Sequence, residues 1–295
     1  MKEYSPKTIL IPIDFSTTSY LALDHASIIA QKFDAKLVLV HVIERNFIAH
    51  NVFFPEFKAD NGQQLRNLAE DKLVEISKEL EQKTGNKVSF NVTAGKVGKE
   101  VIRLGAEHKA DLIVMGTHGV SGFEEFFLGS NAARVVLESL IPVITVQDSA
   151  KNNDYDTILL PIDNSNGSRE KVAETTSFAA KFNAKVVILG LIAENAKEKE
   201  PELRKKIEQT EKHFTSLNIP YQTIYKTSLY FSDEILSTAE EVDADLITIM
   251  TDQELDNLNF IMGPSAQKIV NHSKRPVLSI TSEIIIARKF KNNPV

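Results

Sequence analysis

Cysteine is missing from all 295 positions, which removes disulfides, thiolate metal sites and cysteine nucleophiles while saying little about compartment. Long apolar runs are missing too. Nothing approaches the roughly 18 consecutive apolar residues that cross a bilayer, and the opening MKEYSPKTILIPIDF has no basic segment leading into a long apolar one. Cytoplasmic residence without a membrane partner is therefore expected. Positive charge is scarce, since 34 Lys and Arg face 40 Asp and Glu for a formal net charge of -6. A nucleic-acid partner, which calls for a basic face, is not expected. The 7 histidines form no H-x-H or H-E-x-x-H pair, so no dedicated metal site is expected. The phosphate-handling signatures H-x-G-H, S-G-G-x-D-S and G-x-x-x-x-G-K-S/T are absent as well.

What is there is a hydrophobic content of 42%, enough for a substantial core, and a length that suggests about two domains. The chain also repeats itself. Thr8-Ile9-Leu10-Ile11-Pro12-Ile13-Asp14 returns as Thr157-Ile158-Leu159-Leu160-Pro161-Ile162-Asp163, and Ala110-Asp111-Leu112-Ile113 returns as Ala244-Asp245-Leu246-Ile247. Ile141-Pro142-Val143 corresponds to Arg275-Pro276-Val277. Two homologous domains follow, 1–147 and 154–283, with the polar stretch Gln147 to Asp154 as linker and 284–295 as a tail. In the first half, strands are expected near Thr8–Ile13, Lys36–Val42, Lys87–Thr93, Asp111–Met115 and Val143–Val146. Helices fall between them: one after Ser16-Thr17-Thr18, whose hydroxyls can cap it, then about Gln64–Lys83, Gly98–His108 and Ser130–Ser139. This alternation makes the fold class α/β, as two tandem doubly wound parallel five-stranded sheets of Rossmann-like order 3-2-1-4-5. Ligands of such sheets bind beyond the carboxyl ends of the strands where the order reverses, here between the first and fourth strands. Asp14 ends the first of these and Gly116 follows the fourth, so both converge on one crevice.

Met115-Gly116-Thr117-His118-Gly119, with Gly129-Ser130-Asn131 downstream, carries a strand over to a helix. Glycines here let the backbone approach a ligand closely, and the helix start attracts anions. The same glycines also suit an ordinary turn. Three features together, the I-P-I-D strand ending at Asp14, the run D-L-I-V-M-G-T-H-G at 111–119, and Gly116-x2-Gly119-x9-Gly129-Ser130, resemble the universal stress protein family in its tandem, two-domain form. The resemblance covers nearly the whole chain, and this glycine spacing goes with the ATP-binding members. It implies adenine against Ile13, Val42 and Met115, in a pocket that also includes Pro12, with Asp14 near the adenine and ribose. Gly116 would support the ribose, and Gly119, Gly129, Ser130 and Asn131 would receive the phosphates. It also implies ATP, with Mg²⁺ able to accompany it, and a regulator or sensor acting through an unidentified protein partner. Single domains of the family dimerise through the last strand, so the two halves are expected to form a pseudo-dimer, and two chains to pair again as a homodimer. A slow ATPase and a nucleotide-free scaffold are the alternatives. The loop from Gly116 to Ser130 contains no Arg or Lys, which disfavours efficient phosphoryl transfer.

For single residues the structural reading stays open beside the functional one. Ser130 either caps its helix or donates to phosphate; Asp14 is either a ligand residue or a turn carboxylate. His118 is a loop histidine that could touch phosphate, and His41 reads as a core or strand-end residue. The second half replaces Gly116 by Met250, Gly119 by Gln253, Gly122 by Asp256 and Ser130 by Pro264. Proline suits a helix start but offers no N–H to an anion, so one nucleotide site per chain is expected. Phe47, Phe53, Phe54 and Phe57 mark an insertion that is a lid, an association surface or a satellite core. The charged run Ala196 to Lys212 reads as a solvated helix face.

Overall fold

In the computed structural model, residues 4–44, 61–117, 129–148, 150, 154–251, 263–282 and 284 are described. The first half runs β1 (Thr8–Pro12), α1 (Thr17–Phe33), β2 (Lys36–Glu44), α2 (Asn61–Thr84), β3 (Val88–Gly95), α3 (Val97–Glu107), β4 (Leu112–Gly116), α4 (Ser130–Glu138) and β5 (Val143–Val146). The second runs β6 (Thr157–Ile162), α5 (Val172–Phe182), β7 (Lys185–Ala193), a 3-10 turn, α6 (Glu200–Ser216), β8 (Tyr221–Ser228), α7 (Phe231–Glu241), β9 (Leu246–Met250), α8 (Pro264–His272) and β10 (Val277–Ile280). The inner strands are apolar along their length because both faces are covered by helices. Ser16 caps α1 by accepting from Ser19 N–H, and α1 ends at Asp34 in the left-handed region at φ 52°. Asn183 ends α5 in the same way at φ 59°; short polar side chains tolerate that backbone best after glycine.

The strands form one ten-stranded sheet in the order β3-β2-β1-β4-β5-β10-β9-β6-β7-β8. Each half thus has the order 3-2-1-4-5. Every pairing is parallel except the central one, where β10 meets β5 antiparallel with Leu278 opposite Ile144. That junction is the expected pseudo-dimer contact: two strands that would otherwise be open edges complete one another. Asp111 lies just outside β4 because its carboxylate accepts Lys7 N–H at 2.9 Å and Thr8 N–H at 3.0 Å. Asp245 does the same for Asp156 and Thr157 at 3.0 and 2.9 Å. The repeated Ala-Asp-Leu-Ile motif is therefore a clamp that fixes the start of one central strand to its neighbour.

The halves do not keep separate cores. On one face of the sheet, Ile9, Phe33 and Leu73 belong to the same buried cluster as Tyr155, Phe178 and Phe182. Phe33 packs 5.3 Å from the Phe178 ring, and Tyr155 packs edge-on at 5.0 Å from Phe182. His25 Nδ1 lies 3.0 Å from the Tyr155 hydroxyl, and burial pushes that phenol far above its ordinary range. The charged run after Ala196 is only partly a solvated face. Within α6, Leu203, Ile207 and Phe214 are fully buried, because residues spaced three to four apart share one side of a helix.

Candidate nucleotide crevice

The crevice is built where β1 and β4 deliver the chain to opposite faces. Past the end of β1, Ile13 N–H still reaches Val40 O at 2.8 Å, which carries Asp14 clear of the sheet. Asp14 is half-buried, and its Oδ1 accepts Ser16 N–H at 3.0 Å and the Ser16 hydroxyl at 2.5 Å. Ser16 in turn caps α1. One carboxylate oxygen thus braces the helix start, while Oδ2 makes no hydrogen bond among the described residues. Both readings of Asp14 can hold at once, one on each oxygen.

At the end of β4, Gly116 sits against the first turn of α1. A Cβ placed there would lie 2.8 Å from Thr18 Cγ2 and 3.2 Å from the Thr18 backbone, so only glycine lets the two elements approach this closely. Thr18 Oγ1 donates to Asp148 Oδ1, which ties the start of α1 to the residues following β5. Thr117 continues the strand by donating N–H to Val146 O at 3.0 Å, and its carbonyl accepts Gly129 N–H at 2.9 Å. The two ends of the glycine loop are thereby joined. His118, Gly119 and Gly122 lie outside the described residues, as do Phe47, Phe53, Phe54 and Phe57.

Gly129 precedes α4 at φ -54° and ψ 140°, and no side chain caps that helix. Its first-turn N–H groups have no intrahelical acceptors and carry the positive end of the helix dipole. Ser130 is exposed at this end. Asn131 is differently engaged: its Oδ1 accepts Gly98 N–H at 3.3 Å, which leaves its backbone, rather than its side-chain oxygen, to face an anion. Met115 is buried in the cluster that also contains Leu10 and Val40, with half-buried Val42 packed against it. Ile13 is buried in the cluster on the other face of the sheet. The three apolar residues therefore do not form one side-chain wall. Met115 and Val42 share a face, and Ile13 offers the crevice its backbone, whose carbonyl lies 2.7 Å from His41 Nδ1.

Sequence reasoning passed over His41, Thr18 and Thr117 as parts of this construction. Only Thr117 had a visible signal, because it recurs as Thr251, whose N–H bonds Ile280 O and whose carbonyl accepts Gly263 N–H, each at 3.0 Å. The His41 ring also packs at a tilt of 34° on Phe15, 4.8 Å between centroids, and Phe15 holds a left-handed φ of 65°. A side chain that is not glycine, asparagine or aspartate is uncommon there.

The second half starts from the same bracing: Asp163 Oδ1 accepts Ser165 N–H at 2.9 Å and its hydroxyl at 2.6 Å. Then it departs. Asp163 N–H bonds Ser168 Oγ at 2.8 Å, residues 164–171 form turns, and α5 begins only at Val172. Lys171 consequently points inward at 4% exposure, and its ammonium donates to Ser168 O at 2.5 Å. Burial lowers its pKa to about 8, against the opposing pull of Asp163. Pro264 opens α8 after Gly263 at φ -60° and ψ 145°, nearly the backbone of Gly129.

Comparison with known proteins bears on the family and the fold. A sequence model described as the universal stress protein family matches residues 6–147. A universal stress protein of Methanocaldococcus jannaschii is 30% identical over 154 residues, covering 48% of this chain and 94% of its own. A second from the same organism is 33% identical over 147 residues, covering 49% of this chain and 84% of its own. A solved universal stress protein from Archaeoglobus fulgidus shares the fold across both halves, with a TM-score of 0.74 over 93% of this chain and 98% of its own at 20% identity. With relatives matched over nearly their full length and the fold shared from end to end, the chain belongs to the universal stress protein family.

Proposed function

We propose that the N-terminal half binds ATP or another adenine nucleotide and that the chain is a stress-response regulator or sensor without efficient catalysis. The observation that carries this reading is the uncapped start of α4 at Gly129–Ser130, joined through Thr117 to the end of β4. In this reading the phosphates accept from the first-turn N–H groups and from the Ser130 hydroxyl, an arrangement suited to anions. The base lies over Met115 and Val42 with the backbone of Pro12 and Ile13 at its edge, Gly116 passes beneath the ribose, and Asp14 Oδ2 accepts from ribose or base. His118 and Gly119 complete the phosphate end. Mg²⁺ would be held mainly by the phosphates and water; among the described residues no group of three His, Asp or Glu side chains is arranged for a metal. The units are taken as 1–147 and 154–283, the protein partner is unidentified, and residence is cytoplasmic. A homodimer of whole chains must use a surface other than β5 or β10, since these already pair with each other.

Mass spectrometry of nucleotide released from freshly purified protein, with calorimetric titration of ATP, tests the reading. The expected results are a bound adenine nucleotide or saturable heat at one site per chain. Absence of both overturns it. Phosphate release followed over hours with Mg²⁺ separates a binder from an enzyme, with no turnover expected above the uncatalysed rate.

A further inference from the structure

The C-terminal half has an opening that the nucleotide reading leaves unused. At the carboxyl ends of β7 and β8 lies a cavity of about 410 Å³, within the size range of small-molecule pockets. The first turns of α7 and α8 both line it, through Phe231, Ser232, Pro264 and Ser265. Neither helix is capped by a side chain; Pro264 has no N–H and Asp233 N–H is taken by Tyr230 O, which leaves the amides of Phe231 and Ser232 in α7 and of Ser265 and Ala266 in α8 to meet at one place. Ser232 makes this more than a pair of helix starts. It is only 6% exposed and lines the cavity, yet its hydroxyl makes no hydrogen bond among the described residues. Its oxygen is not sealed off from solvent, so the hydroxyl opens into the cavity with its proton free to donate. Ser228 Oγ already accepts Tyr230 N–H at 3.0 Å, which leaves its own proton to donate.

Charge and shape narrow the ligand. Among the described residues of the lining, Lys268 is the one that carries charge. Its ammonium pairs with Asp233 at 2.6 Å in a half-exposed contact, and an ammonium has three donors, so others remain. Leu229 and Tyr230 stand at the rim, 60% and 69% exposed, and offer an apolar face. Among the described residues of the N-terminal half, side chains occupy the equivalent place. There Gly98 stands in place of Ser232, the Arg134 side chain lies within 3.2 Å of where a Gly98 Cβ would be, and Asn131 takes the Gly98 N–H.

We propose that this cavity binds a small organic phosphate monoester. The phosphate head accepts from the Ser232 and Ser265 hydroxyls, the first-turn amides of α7 and α8, and Lys268; the organic part lies against Leu229 and Tyr230. The donors exceed what the two oxygens of a carboxylate can accept, whereas three phosphate oxygens can engage them. The site stands independently of nucleotide binding in the other half.

The test is calorimetric titration of the full chain with phenyl phosphate, inorganic phosphate and benzoate, on the wild type, Ser232→Ala and Lys268→Gln, with thermal melts of each. Phenyl phosphate should bind saturably, and Ser232→Ala should weaken it by about tenfold. Lys268→Gln, a half-exposed change that spares the core, should weaken it by at least about threefold. Inorganic phosphate and benzoate should each bind at least about tenfold more weakly than phenyl phosphate. No saturable heat with phenyl phosphate, or equal affinity in the wild type and both variants, overturns the site. Benzoate or inorganic phosphate binding as tightly as phenyl phosphate overturns the ligand class.

Discussion

Asp14 and Asp163 end equivalent strands and brace equivalent serines, yet the helices that follow begin at different depths. Thr17 opens α1 three residues after Asp14, while Val172 opens α5 nine residues after Asp163. In the N-terminal half an early helix start presses Thr18 onto Gly116. In the C-terminal half bulk and its absence trade places: Met250 stands where Gly116 does, and Gly167 where Thr18 does. The loosened turn then carries Lys171 inward, at the position where the first half keeps fully buried Ala22. One scaffold thus supports a crevice between β1 and the uncapped start of α4 in one copy. In the other it holds a buried cation beside β6, and the uncapped start of α8 opens onto the cavity at the ends of β7 and β8.

The largest expected effect asks whether two halves so different at their crevices are still one folding unit. Phe33→Ala removes the α1 side chain that packs on Phe178 and Phe182 across the pseudo-dimer. It should cost about 3–5 kcal/mol, and denaturant unfolding followed by circular dichroism should remain a single transition with its midpoint lowered. Two separated transitions would show that each half is held by its own core.

Next comes the exchange of helix starts. Ser130→Pro gives α4 the residue that α8 already carries behind a backbone of nearly the same φ and ψ, so the fold should tolerate it. The change deletes one N–H and one hydroxyl from the proposed phosphate subsite. ATP affinity by calorimetry should fall by about tenfold to a hundredfold, the worth of one or two hydrogen bonds to a charged group. Unchanged ATP affinity would remove the asymmetry between the halves at this position.

The smallest effect concerns Lys171. With a folded-state pKa of about 8 and an ordinary lysine value of 10.5, the unfolded chain binds more protons between those values. Stability therefore rises with pH across that window, and below it the penalty for burying the charge is fully present. Lys171→Met should raise stability by roughly 1–3 kcal/mol at pH 7, with the gain fading as pH passes through the window. Equal gains at pH 7 and at high pH would show that the ammonium is not what costs the fold.

Much of the architecture was legible in the sequence because each strand is a short apolar run between polar turns, and because the chain states its plan twice. The family resemblance, in which single domains dimerise through the last strand, also pointed to the meeting of β5 and β10. Asp14, Gly116 and Gly129 could be placed at one crevice because strand order brings their elements together. Side-chain direction was harder. Ile13 follows β1 and its side chain continues onto the α1 face, away from Met115 and Val42; apolar character alone does not say which face a strand-end residue takes. Lys171 was invisible because its burial depends on a delayed helix start, and the helical spacing after Asp163 looks the same whether the first turn winds or not. The shared core was missed for a related reason. Periodicity shows that α1 has a buried side, but not that part of this side belongs to the other half.

The antiparallel joint between β5 and β10 has a consequence for how such a chain can change. In a symmetric pair of identical subunits each substitution occurs twice, so both crevices alter together and neither can be given up alone. Tandem fusion across the same joint keeps the buried contact and lifts that restriction. If the proposed nucleotide site is single, nucleotide should bind this chain hyperbolically, and any signal passed between the halves must run from one ligand to a different one.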